Sequence, residues 1–122
     1  MKIAGLGFRT EATVGSLRAA LHAAGGAAGL TALATSDAKA SAPVFVSFAA
    51  ELGLPVLAIS PAELSVQKTL TESPRVQAKT GAGSLAEAAA MAATGSDAVL
   101  LAPRAVSPDR MATAAIAERI RR

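Results

Sequence analysis

A chain of 122 residues, 52% hydrophobic and 17% charged, is long enough to bury one modest core and too apolar to stay disordered, so a single domain over residues 1–122 is expected. It has no cysteine, which removes disulfide frameworks, thiolate metal sites and cysteine nucleophiles together. The net charge of +3 suits an anionic partner, but the one dense basic cluster, Arg119, Arg121 and Arg122, lies at the chain end, and three Phe without Trp or Tyr leave little to stack on bases, so a basic nucleic-acid-binding domain is the lowest reading.

From Lys2 to Phe8 the residues Ile3, Leu6 and Phe8 form a short apolar run that reads as a buried strand. Gly5, Gly7 and Arg9 keep this run far short of a signal-peptide core or a membrane span, so cytoplasm is the expected location. Val14, Leu17 and Leu21 then fall at helical spacing, with Thr10 or Thr13 available as the cap and Gly25-Gly26 as the stop. A second strand fits Leu30 to Thr35. Pro43 occupies a first helical position, and Phe45, Phe48, Ala49 and Leu52 follow at i, i+3, i+4 and i+7 before Gly53.

Pro55 to Ile59 reads as a third strand, and Ser60-Pro61-Ala62-Glu63 is a capping box that opens a short helix. Val66 to Thr80 has no sustained period and reads as a mobile loop. A second box, Ser84-Leu85-Ala86-Glu87, opens an Ala-rich helix with Leu85, Ala88, Ala89 and Ala92 on one face, ended by Gly95. Asp97 to Ala102 reads as a strand. Met111 to Ile120 fits helix and strand equally, through Ile116 and Ile120 or through Ala112, Ala114 and Ile116. The alternation of strands and helices predicts an α/β domain, a mainly parallel sheet with helices on both faces.

In such a sheet ligands bind at the carboxyl ends of the strands, where loops deliver backbone N–H groups. Three segments are expected to meet there: Gly7-Phe8-Arg9-Thr10, Thr35-Ser36-Asp37-Ala38-Lys39, and Lys79-Thr80-Gly81-Ala82-Gly83-Ser84. Their cations, hydroxyls and freed amides suit carboxylates or phosphates. Each also has a simpler explanation. Gly5 and Gly7 lack the third glycine of a dinucleotide fingerprint and serve equally as close-packing residues, Gly81 and Gly83 lack a P-loop ending, and Asp37 and Lys39 serve equally as solvated loop charges. His22, the sole histidine, sits beside Leu21 on a helix with no catalytic partner in sequence, and no carboxylates are spaced for a metal, so no metal and no cofactor are expected. Asp37 and Lys39 are the first candidates for acid or base chemistry, Glu87 being accounted for as the capping-box residue.

Gly5-Leu6-Gly7-Phe8-Arg9, Ala34-Thr35-Ser36-Asp37-Ala38-Lys39, Leu52-Gly53-Leu54-Pro55 and Gly81-Ala82-Gly83-Ser84-Leu85-Ala86-Glu87-Ala88-Ala89-Ala90 occur in an order that resembles the CobE/CbiG C-terminal family of cobalamin biosynthesis, over nearly the whole chain. The length is similar to that of its stand-alone members. The resemblance implies a three-layer α/β/α fold, a strand for Ala112 to Ala117, and a place in corrin ring assembly. It implies as partner a precorrin or corrin intermediate of the aerobic route, bound or carried, together with other enzymes of the pathway. The alternative it implies is a hydrolase acting on the ring periphery, as in the lactone opening of full-length CbiG, whose additional N-terminal domains are absent from this sequence. Phe8 stands where the family usually has Cys, Ala42 where it has an acid before Pro43, and Arg104 where it has Lys, which keeps a cation for anion binding. Corrin intermediates are flat apolar rings rimmed by carboxylates. Arg9 and Lys39 are accordingly expected to bind them and to be dispensable for folding.

Overall fold

The computed structural model describes residues 2–65, 85–95, 98–102 and 104–119. The expected Val66 to Thr80 loop, and with it Lys79, Thr80, Gly81, Gly83 and Ser84, lies outside the described residues. In chain order the elements are β1 (Lys2–Phe8), α1 (Val14–Ala24), β2 (Ala32–Ser36), α2 (Asp37–Ala40), α3 (Pro43–Leu52), β3 (Val56–Ile59), α4 (Pro61–Ser65), α5 (Leu85–Thr94), β4 (Ala98–Leu100), β5 (Ala105–Val106) and β6 (Ala112–Arg119).

The strands form one sheet in the order β3-β2-β1-β6-β4, with β5 also paired to β6. β1, β2 and β3 are parallel, while β6 runs antiparallel to β1, β4 and β5. Five strands therefore share one direction, and β6 alone opposes them. The chain end whose period was ambiguous is thus a strand. Its register along the whole of β1, from Lys2↔Glu118 to Phe8↔Ala112, supplies backbone partners that an isolated helix there would not. Neither α2 nor β5 was expected, because elements of four and two residues carry no readable period.

Side chains alternate across β1 and divide the core in two. Ala4, Leu6 and Phe8 face Leu17 and Leu21 of α1 and Phe45 and Phe48 of α3. On the other face, Ile3, Ala32, Ala34 and Ile59 pack with Leu64 of α4 and Ala88 and Ala89 of α5. The result is the three-layer α/β/α arrangement. Helix ends follow local chemistry. Thr13, not Thr10, caps α1: its hydroxyl accepts the Ser16 N–H and the Ser16 hydroxyl accepts the Thr13 N–H, both at 3.1 Å. α3 stops at Gly53, whose φ of 68° is left-handed.

Gly5 decides how closely the second helical layer approaches. A Cβ built on it would stand 2.0 Å from the Ala86 carbonyl oxygen and 2.5 Å from the Ala90 nitrogen, so the α5 backbone lies directly on the β1 backbone. The Ala-rich composition of α5 is the counterpart of that contact, since larger residues would hold the helix away. Gly5→Ala is expected to destabilise the protein by about 3 kcal/mol or more, because the obstacle is helix backbone rather than a movable side chain. Gly15→Ala in α1, where the new Cβ would meet only the Thr13 hydroxyl at 3.5 Å, is expected to leave stability unchanged or raise it by up to about 1 kcal/mol. Urea denaturation of the two variants checks both signs.

Candidate functional site

The parallel direction of β1, β2 and β3 brings the loops that follow them to one edge of the sheet. Two of the expected segments meet there by direct contact. The Lys39 ammonium donates to the Phe8 carbonyl at 2.7 Å and lies 5.0 Å from the centroid of the Phe8 ring, which stacks on Phe45 at 5.7 Å. Below them the Thr35 hydroxyl, fully buried, donates to the Leu6 carbonyl at 2.7 Å. Thr35 and Lys39 thus knit β2 to the end of β1. Lys39 is a half-buried clamp on the end of β1 rather than a solvated loop charge, and Lys39→Ala is expected to cost about 1.5–3 kcal/mol, the contribution of a hydrogen bond to a charged group.

Gly7 lies under Leu85 and Thr113, within 3.6 Å of where its Cβ would be, and offers no open cradle on that face. Arg9 and Thr10 are exposed. Ser36 is half-buried at the N-cap of α2 without a capping bond, and Asp37 is exposed in its first turn. Ala42, where the resemblance has an acid, is the N-cap of α3 and makes no side-chain cap bond. An acid at this position is placed to cap a helix, which accounts for it without a general base.

Arg104 lies elsewhere. Leu101 donates its N–H to the Ile116 carbonyl and Ala105 pairs with Ala114, so the chain between them loops off β6 beside Ala115, level with Gly5. Three strand spacings, about 14 Å, separate that position from β2. Glu87 anchors the excursion: fully buried in the first turn of α5, it accepts the Arg104 N–H at 2.8 Å. The residue assigned to the capping box therefore has a tertiary partner 17 positions away, which spacing alone could not reveal.

At the same edge as Arg9 is a turn that no motif marked. Arg9 donates its N–H to the Met111 carbonyl at 2.9 Å, and the turn from Ser107 to Met111 joins β5 to β6. Asp109 holds it. Its carboxylate accepts from the Ser16 hydroxyl at 2.6 Å, from the Ser107 hydroxyl, and from the Met111 N–H at 3.0 Å. Ser16 and Ser107 are buried, so the turn is latched to the first turn of α1. The Ser107 and Ser16 hydroxyls, then the Met111 amide, hold the Asp109 carboxyl below its ordinary value. Next in the turn is Arg110, exposed, with φ of 62°. Among the described residues Arg9 and Arg110 make no side-chain hydrogen bond or ion pair, whereas Arg18, on the outer surface, is paired with Glu51 at 2.7 Å. Among the described residues no cluster of His, Asp or Glu could hold a metal ion, and no helix is long and apolar enough to cross a membrane.

The chain is thus a three-layer α/β protein whose Arg9 and Arg110, at the carboxyl edge of the sheet, have no side-chain partner among the described residues. The family model described as "Cobalamin synthesis G C-terminus" matches residues 2–117, and the chain belongs to that family. Among solved structures it is similar to CobE, a protein from the cobalamin (vitamin B12) biosynthetic pathway, with 33% identity over 98% of this chain and 91% of that one and a TM-score of 0.85. It is also similar to the cobalamin biosynthesis protein chiG from Agrobacterium tumefaciens, with 31% identity over 99% of this chain and 100% of that one and a TM-score of 0.74. No curated protein matches the chain.

The Asp109 latch has a pH signature. Its carboxyl is depressed in the folded state, so its contribution is full above the unfolded value of about 3.9 and is lost as pH falls from there through the folded pKa. Asp109→Asn is expected to melt below wild type at pH 7, and the gap in Tm is expected to close as the pH is lowered toward 3. A gap that stays constant over this range would show that the latch does not depend on the carboxylate charge.

Proposed function

We propose that this domain binds or carries a corrin-ring intermediate of cobalamin biosynthesis, through the carboxyl edge where the loops after β1 and β2 converge. The observation that carries the reading is the exposed guanidinium of Arg9 at that edge, without a partner among the described residues, in a chain of the cobalamin synthesis G C-terminus family. A peripheral carboxylate of the ring matches the planar donor fork of arginine. The similar structures come from proteins named for the same pathway, which supports an intermediate of that pathway as ligand and its enzymes, in the cytoplasm, as neighbours. In this reading Lys39 is mainly a clamp on Phe8, and Asp37, Ser36 and Thr10 border the ligand.

Titration with cobyrinic acid, a corrin with free peripheral carboxylates, tests the proposal. A shift in the corrin absorbance is the expected result; the hydrolase alternative is checked in parallel with a lactone-bearing precorrin, where appearance of the ring-opened hydroxy acid would favour it. Arg9→Ala is expected to weaken binding about tenfold, the loss of one charge-assisted contact, with Tm unchanged. Affinity is expected to fall as salt is raised, since exposed charges are screened over about 8–10 Å. Arg119→Ala, at the opposite edge of the sheet where Arg119 pairs with Ala98, serves as the control and is expected to bind like wild type.

A further inference from the structure

Among the described residues Arg110 alone, apart from glycines, has a positive φ. A left-handed conformation is unfavourable for an L-residue with a long side chain, and glycine or asparagine is the relaxed choice in such a turn. The strain is imposed from outside the residue. Asp109 is held by Ser16, Ser107 and Met111, and the Arg110 N–H donates to the Ser107 carbonyl at 2.8 Å, so the residues on both sides of the strained position are tied down. Among the described residues nothing uses the side chain that is held there: the guanidinium is exposed and has no partner. Strain that the surrounding structure imposes, at a residue whose side chain has no partner among the described residues, is the pattern of a residue retained for binding.

The turn carrying it lies against Arg9, through the bond from the Arg9 N–H to the Met111 carbonyl. We propose that Arg110 is a second anion-binding residue of the carboxyl edge, held beside Arg9 by the Asp109 latch so that the two guanidinium groups take separate carboxylates of one ligand. The inference rests on the corrin reading, and it adds that the ligand reaches across β1 to the β5–β6 turn. A ligand with several carboxylates spread around a rigid ring would engage both cations, and a monocarboxylate would engage only one.

The test is Arg110→Gly, titrated with cobyrinic acid and melted in parallel. Because glycine relieves the left-handed strain, Tm is expected at or above that of wild type while affinity falls about tenfold. A residue with a merely structural role would not separate these two readouts. Arg110→Asn, which also tolerates this conformation, is expected to behave in the same way. Binding by either variant within twofold of wild type overturns the inference, and so does a loss of Tm in step with the loss of affinity. Wild-type protein that does not bind cobyrinic acid overturns the corrin reading itself and this inference with it.

Discussion

The α5 backbone occupies the space that a methyl group on Gly5 would need, and the position of one whole helical layer follows from that contact. With α5 seated on β1, Ile3, Ala32 and Ala34 find partners in Ala88 and Ala89 and are buried although that part of the sheet is poor in large side chains. The same seating brings Glu87 within reach of the Arg104 amide and sets Leu85 over Gly7. A chain whose apolar content is largely Ala must gain cohesion from close approach of backbones rather than from bulky side chains. On the opposite face the opposite solution holds, with Phe8, Phe45 and Phe48 filling the gap between the sheet and α1 and α3.

Around that frame the polar side chains divide by task. Thr35, Lys39, Glu87, Ser16, Ser107 and Asp109 bind backbone groups or one another and hold the loops at the sheet edge in place. Among the described residues no buried side-chain nitrogen or oxygen lacks a hydrogen-bond partner. Unpaired buried polar groups would cost more than the bonds contribute, so this internal satisfaction keeps the edge rigid without a ligand. Arg9 and Arg110 are exposed at that edge and make no side-chain hydrogen bond or ion pair among the described residues. Cations carried on loops held in place lose little freedom when they meet an anion, which is the physical basis of the proposed binding role.

Signals confined to a few neighbouring residues were legible in the sequence. A short apolar run marked β1, Pro43 and Gly53 bounded α3, the 3.6-residue spacing of Phe45, Phe48 and Leu52 aimed it, and Ser60 with Glu63 opened α4, where the Glu63 N–H donates to the Ser60 hydroxyl at 3.2 Å. The α/β class and the meeting of the Gly7 to Thr10 and Thr35 to Lys39 segments followed from the order of such elements, because right-handed crossovers leave little choice. Arg9 could be named as a site candidate for the same reason.

What only the tertiary structure decided depends on partners distant in the chain. Residues 112–119 are a strand because β1 lies alongside, and an Ala-rich segment with two compatible periods has no local reason to choose. Lys39 and Thr35 have hydrogen-bonding capacity that a sequence cannot assign to ligand or to backbone, and the carbonyls of Phe8 and Leu6 claim both. Arg104 was separated from the other cations by the register of β5 on β6, and Arg110 entered the site through a turn whose shape is set by Ser16, 93 positions from Asp109. The sequence by itself determined most of the longer elements and the edge to which the loops after the parallel strands run, since those follow from local sterics and chain handedness. Which side chains remain free at that edge is set by hydrogen bonds between remote residues, and those exist only once the chain has folded.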